Sequence, residues 1–124
     1  MKKITNLFAI VLVLVAVIWL GSAKAEAATV ADGTCGENLT WTLDDQGTLT
    51  ISGTGAMTDW YDTSEIPWYY NRSSIKQVVI EKGVTTIGHM AFYQCSYMGS
   101  VTIPDSVTTI GAVVFYDCGY LLNI

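Results

Sequence analysis

An internal repeat constrains this chain more than any other feature. Residues 78–100 and 101–123 align without a gap at an offset of 23, and 11 of the 23 aligned positions are identical. The start of a third copy occupies residues 121–124, where the sequence stops. Periods of roughly 20 to 50 residues are typical of stacked repeats. The sequence therefore predicts a mainly β fold built of coils of about 23 residues.

The apolar positions within one copy predict its local structure. Val78 and Ile80 alternate with polar or outward positions, as in a short strand with one buried face. Gly88 predicts a turn at positive φ, and the spacing of Phe92 and Cys95 suits one helical turn. One coil cannot bury its own apolar edge, so equivalent residues should stack in ladders. The predicted ladder is Val78, Ile80, Val84, Ile87, Phe92, Cys95, Val101, Ile103, Val107, Ile110, Phe115 and Cys118.

The second copy reads M-x-x-V-x-I-P-x-x-V-T-T-I-G-x-x-x-F-Y-x-C. This pattern resembles the repeat of BspA-like leucine-rich-repeat surface proteins. Glu81 replaces the proline of that pattern in the first copy, and Val114 replaces its alanine in the second. Residues 35–43 and 47–57 also resemble the segment that precedes such repeats. The resemblance implies a leucine-rich-repeat solenoid and adhesion to proteins of a host or a neighbouring cell.

The segment before the repeats predicts a β-hairpin that caps the stack. Residues 39–43 and 49–51 alternate between apolar and polar side chains on either side of a turn at 44–47. Repeat stacks need terminal units that cover their open ends. Trp68, in a distorted first repeat, takes the position that Phe92 has in the first full copy.

The amino terminus has the pattern of a secretory signal peptide. Lys2 and Lys3 precede a 14-residue apolar run at 7–20, followed by overlapping A-x-A sites at 23–25 and 25–27. The run is shorter than the roughly 20 residues of a membrane-spanning helix, which leaves an uncleaved anchor as the weaker alternative. The predicted organisation is a signal peptide at 1–27, a hairpin and capping segment at 28–74, and leucine-rich repeats at 75–124.

The charge of the chain after position 27 excludes some partners. This part of the chain contains three basic and ten acidic residues, a net charge of −7. Such a charge does not suit binding to nucleic acid or to an anionic membrane. We expect no membrane insertion after leader cleavage. About a hundred residues with one histidine do not suggest an enzyme with a substrate lobe. No catalytic residue, metal ligand or cofactor site is predicted.

Three cysteines cannot all pair within one exported chain. Cys95 and Cys118 occupy the same repeat position and should stack at about 4.8 Å. A disulfide, a metal site and core filling are the alternatives, and core filling is favoured because stacked side chains rarely reach disulfide geometry. Cys35 is expected to be more exposed and able to pair with another chain.

A cluster of aromatic residues has two interpretations. Trp60, Tyr61, Trp68, Tyr69 and Tyr70 would suit either a stacking platform for sugars or the packing of a cap, and packing is favoured.

Two polar features also have a functional and a structural interpretation. Asp59, Asp62 and Glu65 could bind calcium or act as an acid and base pair, but a solvated loop is favoured. His89 has no nucleophile placed beside it by the repeat.

The outward positions of the repeated strands are the predicted binding face. Gln77, Val79, Ser100 and Thr102 would meet a protein partner, with weak affinity because the face is small. We therefore expect a secreted or bacterial cell-surface protein that is not an enzyme and mediates protein interaction or adhesion. The rivals are an amino-terminal targeting module of a larger exported hydrolase and a truncated chain that does not fold. Self-association through an uncapped last coil at Ile124 is also expected.

Overall fold

The computed structural model describes residues 26–124, and most of the expected signal peptide lies outside them. The described part consists of short strands and two 3₁₀ helices, and it contains no helix long and apolar enough to cross a membrane. The strands are β1 (Thr29–Gly36), β2 (Leu39–Asp44), β3 (Thr48–Gly53), β4 (Gly55–Ala56), β5 (Gln77–Ile80), β6 (Val84–Ile87), β7 (Ser100–Thr102) and β8 (Thr109–Ile110), and the 3₁₀ helices are Thr63–Glu65 and Tyr69–Ser74.

The predicted hairpin is confirmed as the antiparallel pair β2 and β3. Its turn is closed by Asp44, whose carboxylate accepts hydrogen bonds from the N–H groups of Gln46 (2.8 Å) and Thr48 (3.0 Å). Gly47 completes the turn at φ +84°, a backbone conformation that L side chains rarely adopt. Strand β1 extends the hairpin on its other side, and its weak apolar alternation left it unpredicted.

Residues that are 23 apart in the sequence lie opposite each other in neighbouring hydrogen-bonded strands. In a five-stranded sheet of order β1-β2-β3-β5-β7, Val78 of β5 lies opposite Val101 of β7 in parallel. In a three-stranded sheet of order β4-β6-β8, Ile87 lies opposite Ile110. Each copy therefore contributes one strand to each sheet, and equivalent residues are direct neighbours.

The residues of the predicted ladder differ in burial between the two copies. Those of the first copy are all buried, with at most 2% exposure. In the second copy Val101 is buried and Ile110 is 48% exposed. The other four, Ile103, Val107, Phe115 and Cys118, are partly buried against the core. The difference follows from packing, since within the described residues the start of the third copy, residues 121–124, makes only one β pairing, an isolated bridge between Asn123 and Ser100.

A column of aromatic rings runs through the core. Trp68 stacks on Phe92, and Phe92 stacks on Phe115, with ring centroids 5.9 Å apart in both pairs. The Trp68 indole N–H donates to the carbonyl oxygen of Ala91 at 2.8 Å. Trp41 meets Trp68 edge to face at 5.6 Å. Trp68 therefore occupies the position equivalent to Phe92, as the sequence predicts.

The role predicted for Gly88 is wrong. Neither Gly88 nor Gly111 has a positive φ. A Cβ built on Gly88 would overlap the carbonyl group of Thr58, and one on Gly111 would lie 2.6 Å from the backbone nitrogen of His89. These glycines are needed because another segment of backbone approaches each of them closely, not because the chain turns there.

The chain turns instead at four non-glycine residues with φ between 48° and 62°. They form two pairs at the repeat offset, Met90 with Val113 and Gln94 with Asp117. The expected helical turn takes the form of hydrogen-bonded turns, in which the Cys95 N–H donates to the Phe92 carbonyl oxygen at 3.1 Å.

Candidate functional site

The four residues predicted to bind a partner lie on one face of the five-stranded sheet. Gln77 lies opposite Ser100, and Val79 lies opposite Thr102, so the four side chains form two rows across β5 and β7. Gln77 and Thr102 are exposed, while Val79 and Ser100 are half-buried. Their neighbours Val78, Ile80 and Val101 point the other way into the core, because side chains alternate along a strand.

Both rows continue into the hairpin, beyond the residues that the repeat predicts. Thr48 lies opposite Gln77, and Thr50 opposite Val79. Thr42 lies opposite Thr50 and also opposite Asp32 of β1. The alternating threonines of β2 and β3 could have signalled this in the sequence. We call this surface the outer sheet face, and it consists of Asp32, Thr42, Thr48, Thr50, Gln77, Val79, Ser100 and Thr102.

The chemistry of the outer sheet face is that of hydroxyl and amide groups. The Gln77 side-chain amide donates to the Thr48 hydroxyl at 2.7 Å, which holds this amide in one orientation. Each hydroxyl can donate one hydrogen bond and accept others. Asp32 carries the single charge of this face, and Val79 is its single apolar side chain. The arrangement can form hydrogen bonds to a polar partner.

The three cysteines are free. The exposure predicted for Cys35 is wrong, because its side chain is only 2% exposed, between the end of β1 and the core. Burial raises the pKa of the Cys35 thiol to about 12. Core filling is confirmed for Cys95, which is 1% exposed and whose pKa burial likewise raises to about 12. Cys118 is half-buried, and burial raises its pKa too.

The acidic loop uses its carboxylates to hold its own backbone. Asp62 caps the first 3₁₀ helix by accepting hydrogen bonds from the N–H and hydroxyl groups of Ser64, both at 2.8 Å. The bond from the Ser64 N–H lowers the pKa of Asp62. Asp59 accepts a hydrogen bond from the backbone N–H of His89 at 2.8 Å. Within residues 26–124, no three His, Cys, Asp or Glu side chains lie close enough to hold a metal ion.

The aromatic cluster divides into buried and exposed members. Trp60 and Trp68 are buried and meet edge to face at 5.4 Å, so they pack the core and cannot form a platform for a ligand. Tyr61 and Tyr70 are exposed, at 74% and 78%. Tyr61 stacks on the imidazole of His89, with ring centroids 4.8 Å apart.

Comparison with known proteins agrees with this architecture. Residues 66–124 match the family model described as a BspA type leucine rich repeat region (6 copies). The structure is similar to that of a leucine-rich repeat protein from Eubacterium ventriosum ATCC 27560, with a TM-score of 0.66 and 42% sequence identity. That similarity covers 70% of this chain and 24% of the other, so the present chain spans about a quarter of its length. No curated protein sequence matches.

The repeated parallel strands and these similarities support a leucine-rich-repeat fold. The repeats to which residues 66–124 are similar are of the BspA type. Leucine-rich repeats support a role in protein–protein interaction, which agrees with the polar surface of the outer sheet face.

Proposed function

We propose that this chain is an exported, non-enzymatic binding protein whose outer sheet face docks a protein partner. The observation that carries the proposal is the register of β5 and β7, which places Gln77 beside Ser100 and Val79 beside Thr102 on one exposed surface. In this proposal the coils at 75–124 stack as a solenoid, residues 28–74 cap it, and residues 1–27 direct export.

Rigidity supports this use of the surface. Directly behind the exposed rows, Val78, Ile80 and Val101 are buried in the hydrophobic core. Hydrogen bonds join all five strands, so the side chains of the outer sheet face are held at fixed spacings. A preorganised surface loses little conformational entropy when it binds.

The composition of the outer sheet face indicates a weak and hydrated contact. Interfaces gain most of their affinity from a few buried aromatic or arginine side chains. The outer sheet face has neither, and Val79 is its apolar centre. We expect a polar partner surface that pairs with the threonine hydroxyls, partly through water, and a Kd of about 1 μM or weaker.

Location outside the cell is part of the proposal. BspA-type leucine-rich-repeat proteins are typically secreted or found on bacterial surfaces, and residues 1–27 have the sequence pattern of an export signal. The partner would then be a protein of a host or a neighbouring cell.

A photo-crosslinking experiment tests the proposed face. The photoreactive amino acid p-benzoylphenylalanine is placed at Val79 of the full chain, and at the exposed Asn38 in the β1–β2 turn as a control. The labelled chains are irradiated on intact bacterial and epithelial cells. We expect a discrete crosslinked protein with the Val79 probe and none with the Asn38 probe. Equal products from both probes, or none from either, would refute the assignment of this face.

A charge variant provides the matched test. Val79→Arg places a bulky cation at the centre of the outer sheet face, whereas Asn38→Arg makes the same charge change in the turn. Val79→Arg should reduce binding to cells about tenfold, which corresponds to about 1.4 kcal/mol. Asn38→Arg should leave binding unchanged.

A further inference from the structure

Two exposed tyrosines that do not belong to the outer sheet face form an open aromatic surface. Tyr97 and Tyr120 occupy equivalent repeat positions and are 55% and 61% exposed. Their ring centroids lie 6.1 Å apart with the planes tilted by 34°. The neighbouring pair of Tyr93 and Tyr116 stacks instead at 4.8 Å and 10°. The tilt leaves parts of the Tyr97 and Tyr120 faces open to a ligand.

Tyr97 lines two grooves. Lys76, Gly99, Tyr120 and Leu122 line the first with it, and this groove has a volume of about 320 Å³. Its lining is mainly apolar apart from Lys76.

The second groove is smaller and polar, with a volume of about 190 Å³. Arg72, Ser73, Gln94 and Ser96 line it together with Tyr97. Tyr97 thus borders both an apolar groove and a groove with hydrogen-bonding groups. Aromatic walls combined with a few polar groups are typical of small-ligand sites.

The charge around Tyr97 is opposite to that of the chain. Residues 26–124 contain three basic side chains, and two of them, Arg72 and Lys76, line these grooves. Lys76 also borders a third groove with Asp44 and Asp45, which weaken its attraction for an anion. Arg72 is therefore the stronger candidate to meet a negative group.

The guanidinium of Arg72 is held in place before any ligand arrives. It lies 4.0 Å from the ring centroid of Tyr69, and its Nη1 donates to the Tyr69 carbonyl oxygen at 3.0 Å. A guanidinium has five N–H donors in a planar fork that matches a carboxylate. A fixed guanidinium loses little entropy on pairing with an anion.

We propose that the two grooves beside Tyr97 bind an acidic oligosaccharide. One sugar ring stacks its C–H face on Tyr97 and Tyr120, while the neighbouring sugar directs its carboxylate to Arg72. Its hydroxyl groups meet Ser73, Gln94 and Ser96. A carboxylated sugar supplies the apolar face, the hydroxyls and the negative charge that these grooves match. A nucleic acid carries a denser negative charge, which a chain of this acidity repels. This site shares no residue with the outer sheet face and does not depend on the function proposed for it.

The test uses the full chain, ¹⁵N-labelled, and tetragalacturonic acid as the probe, with NMR chemical shifts as the readout. The fully methyl-esterified tetrasaccharide is the uncharged control ligand. We expect saturable shifts centred on Tyr97 and Arg72 with a Kd of about 1 mM or tighter. The ester should bind about three- to fivefold more weakly, the size of one exposed ion pair.

Variants separate the aromatic contribution from the charge. Tyr97→Ala should weaken binding at least tenfold, whereas Tyr97→Phe, which keeps the ring, should bind nearly as well as the parent chain. Arg72→Gln should remove the preference for the acid over the ester. Tyr61→Ala removes another exposed tyrosine, which lies outside both grooves, and should have no effect.

Three results would overturn the proposal. They are no shifts at Tyr97 with the acidic probe, equal affinity of the Tyr97→Ala variant, or equal affinity for the ester. Shifts produced at Tyr97 by an oligonucleotide or an acidic peptide, but not by the tetrasaccharide, would also refute it in favour of that ligand class.

Discussion

Replacing Gly88 by alanine tests how closely the coils pack. The Cβ added at Gly88 would lie 2.8 Å from the carbonyl carbon of Thr58 and closer still to its oxygen. Both atoms belong to the backbone, so no side-chain rotation can relieve the contact. The backbone at Gly88 and the backbone at Thr58 must therefore move apart.

The size of the effect follows from two opposing contributions. Overpacking of a well-packed interior costs typically about 1–3 kcal/mol, and a backbone contact places this case at the upper end. Gly→Ala also lowers the conformational entropy of the unfolded chain, which stabilises the folded state by about 0.4–1 kcal/mol. The net loss should be about 2 kcal/mol. In a domain of this size that lowers Tm by about 8–16 °C.

The assay is thermal unfolding of the full chain followed by circular dichroism. Gly119→Ala is the matched control, because a Cβ there meets nothing within 4 Å. Gly111→Ala should destabilise in the same direction as Gly88→Ala, since its Cβ would lie 2.6 Å from the His89 nitrogen. A Tm of Gly88→Ala within about 2 °C of that of Gly119→Ala, less than roughly 0.5 kcal/mol, would refute the close-approach argument.

Two further predictions concern the core. Phe92→Ala should cost about 3–5 kcal/mol because Phe92 is fully buried between Trp68 and Phe115. Phe115→Ala should cost clearly less, since Phe115 is only partly buried. Chemical denaturation measures the free energy of unfolding of both variants, and an equal loss in the two would contradict the prediction. For the cysteines, a thiol reagent at pH 8 should modify Cys118 before Cys35 and Cys95, whose thiols burial keeps protonated up to a pKa of about 12. The same thiols ionise near pH 8.5 in the unfolded chain. Their contribution to the free energy of unfolding should therefore be constant below that pH and decline from about pH 9 toward pH 12. A free energy of unfolding that does not change between pH 9 and pH 12 would contradict this prediction.

The repeat and the hairpin could be predicted because their signals are local or periodic. The offset between Val78 and Val101 in the sequence is the same as their pairing in the sheet, since parallel coils stack residue on equivalent residue. Alternation of buried and exposed residues likewise identified β2 and β3. Trp68 could be placed with Phe92 because both are large aromatics at similar positions in successive coils.

Features that depend on neighbours far away in sequence could not be predicted. The need for glycine at position 88 comes from Thr58, which lies outside the repeat. Burial of Cys35 depends on the core beneath β1, and β1 itself has too few apolar residues to be recognised.

The two surfaces differed in how far the sequence revealed them. Four members of the outer sheet face followed from strand alternation within the repeats, while Thr48, Thr50 and Thr42 join it only through the parallel pairing of β3 with β5. The aromatic surface of Tyr97 and Tyr120 was missed because ring tilt and groove shape depend on the packing of turns.

Amide hydrogen exchange in the full chain tests most directly whether the two copies stack as one unit. The Phe92 N–H donates to the Val114 carbonyl oxygen at 3.1 Å, and the Gly111 N–H donates to that of Ile87 at 2.9 Å. These bonds join the copies in both directions. The stacked arrangement predicts that both amides exchange at least about a thousandfold more slowly than in an unstructured peptide. Exchange within about tenfold of the unstructured rate would show that the copies do not stack, and would contradict the account.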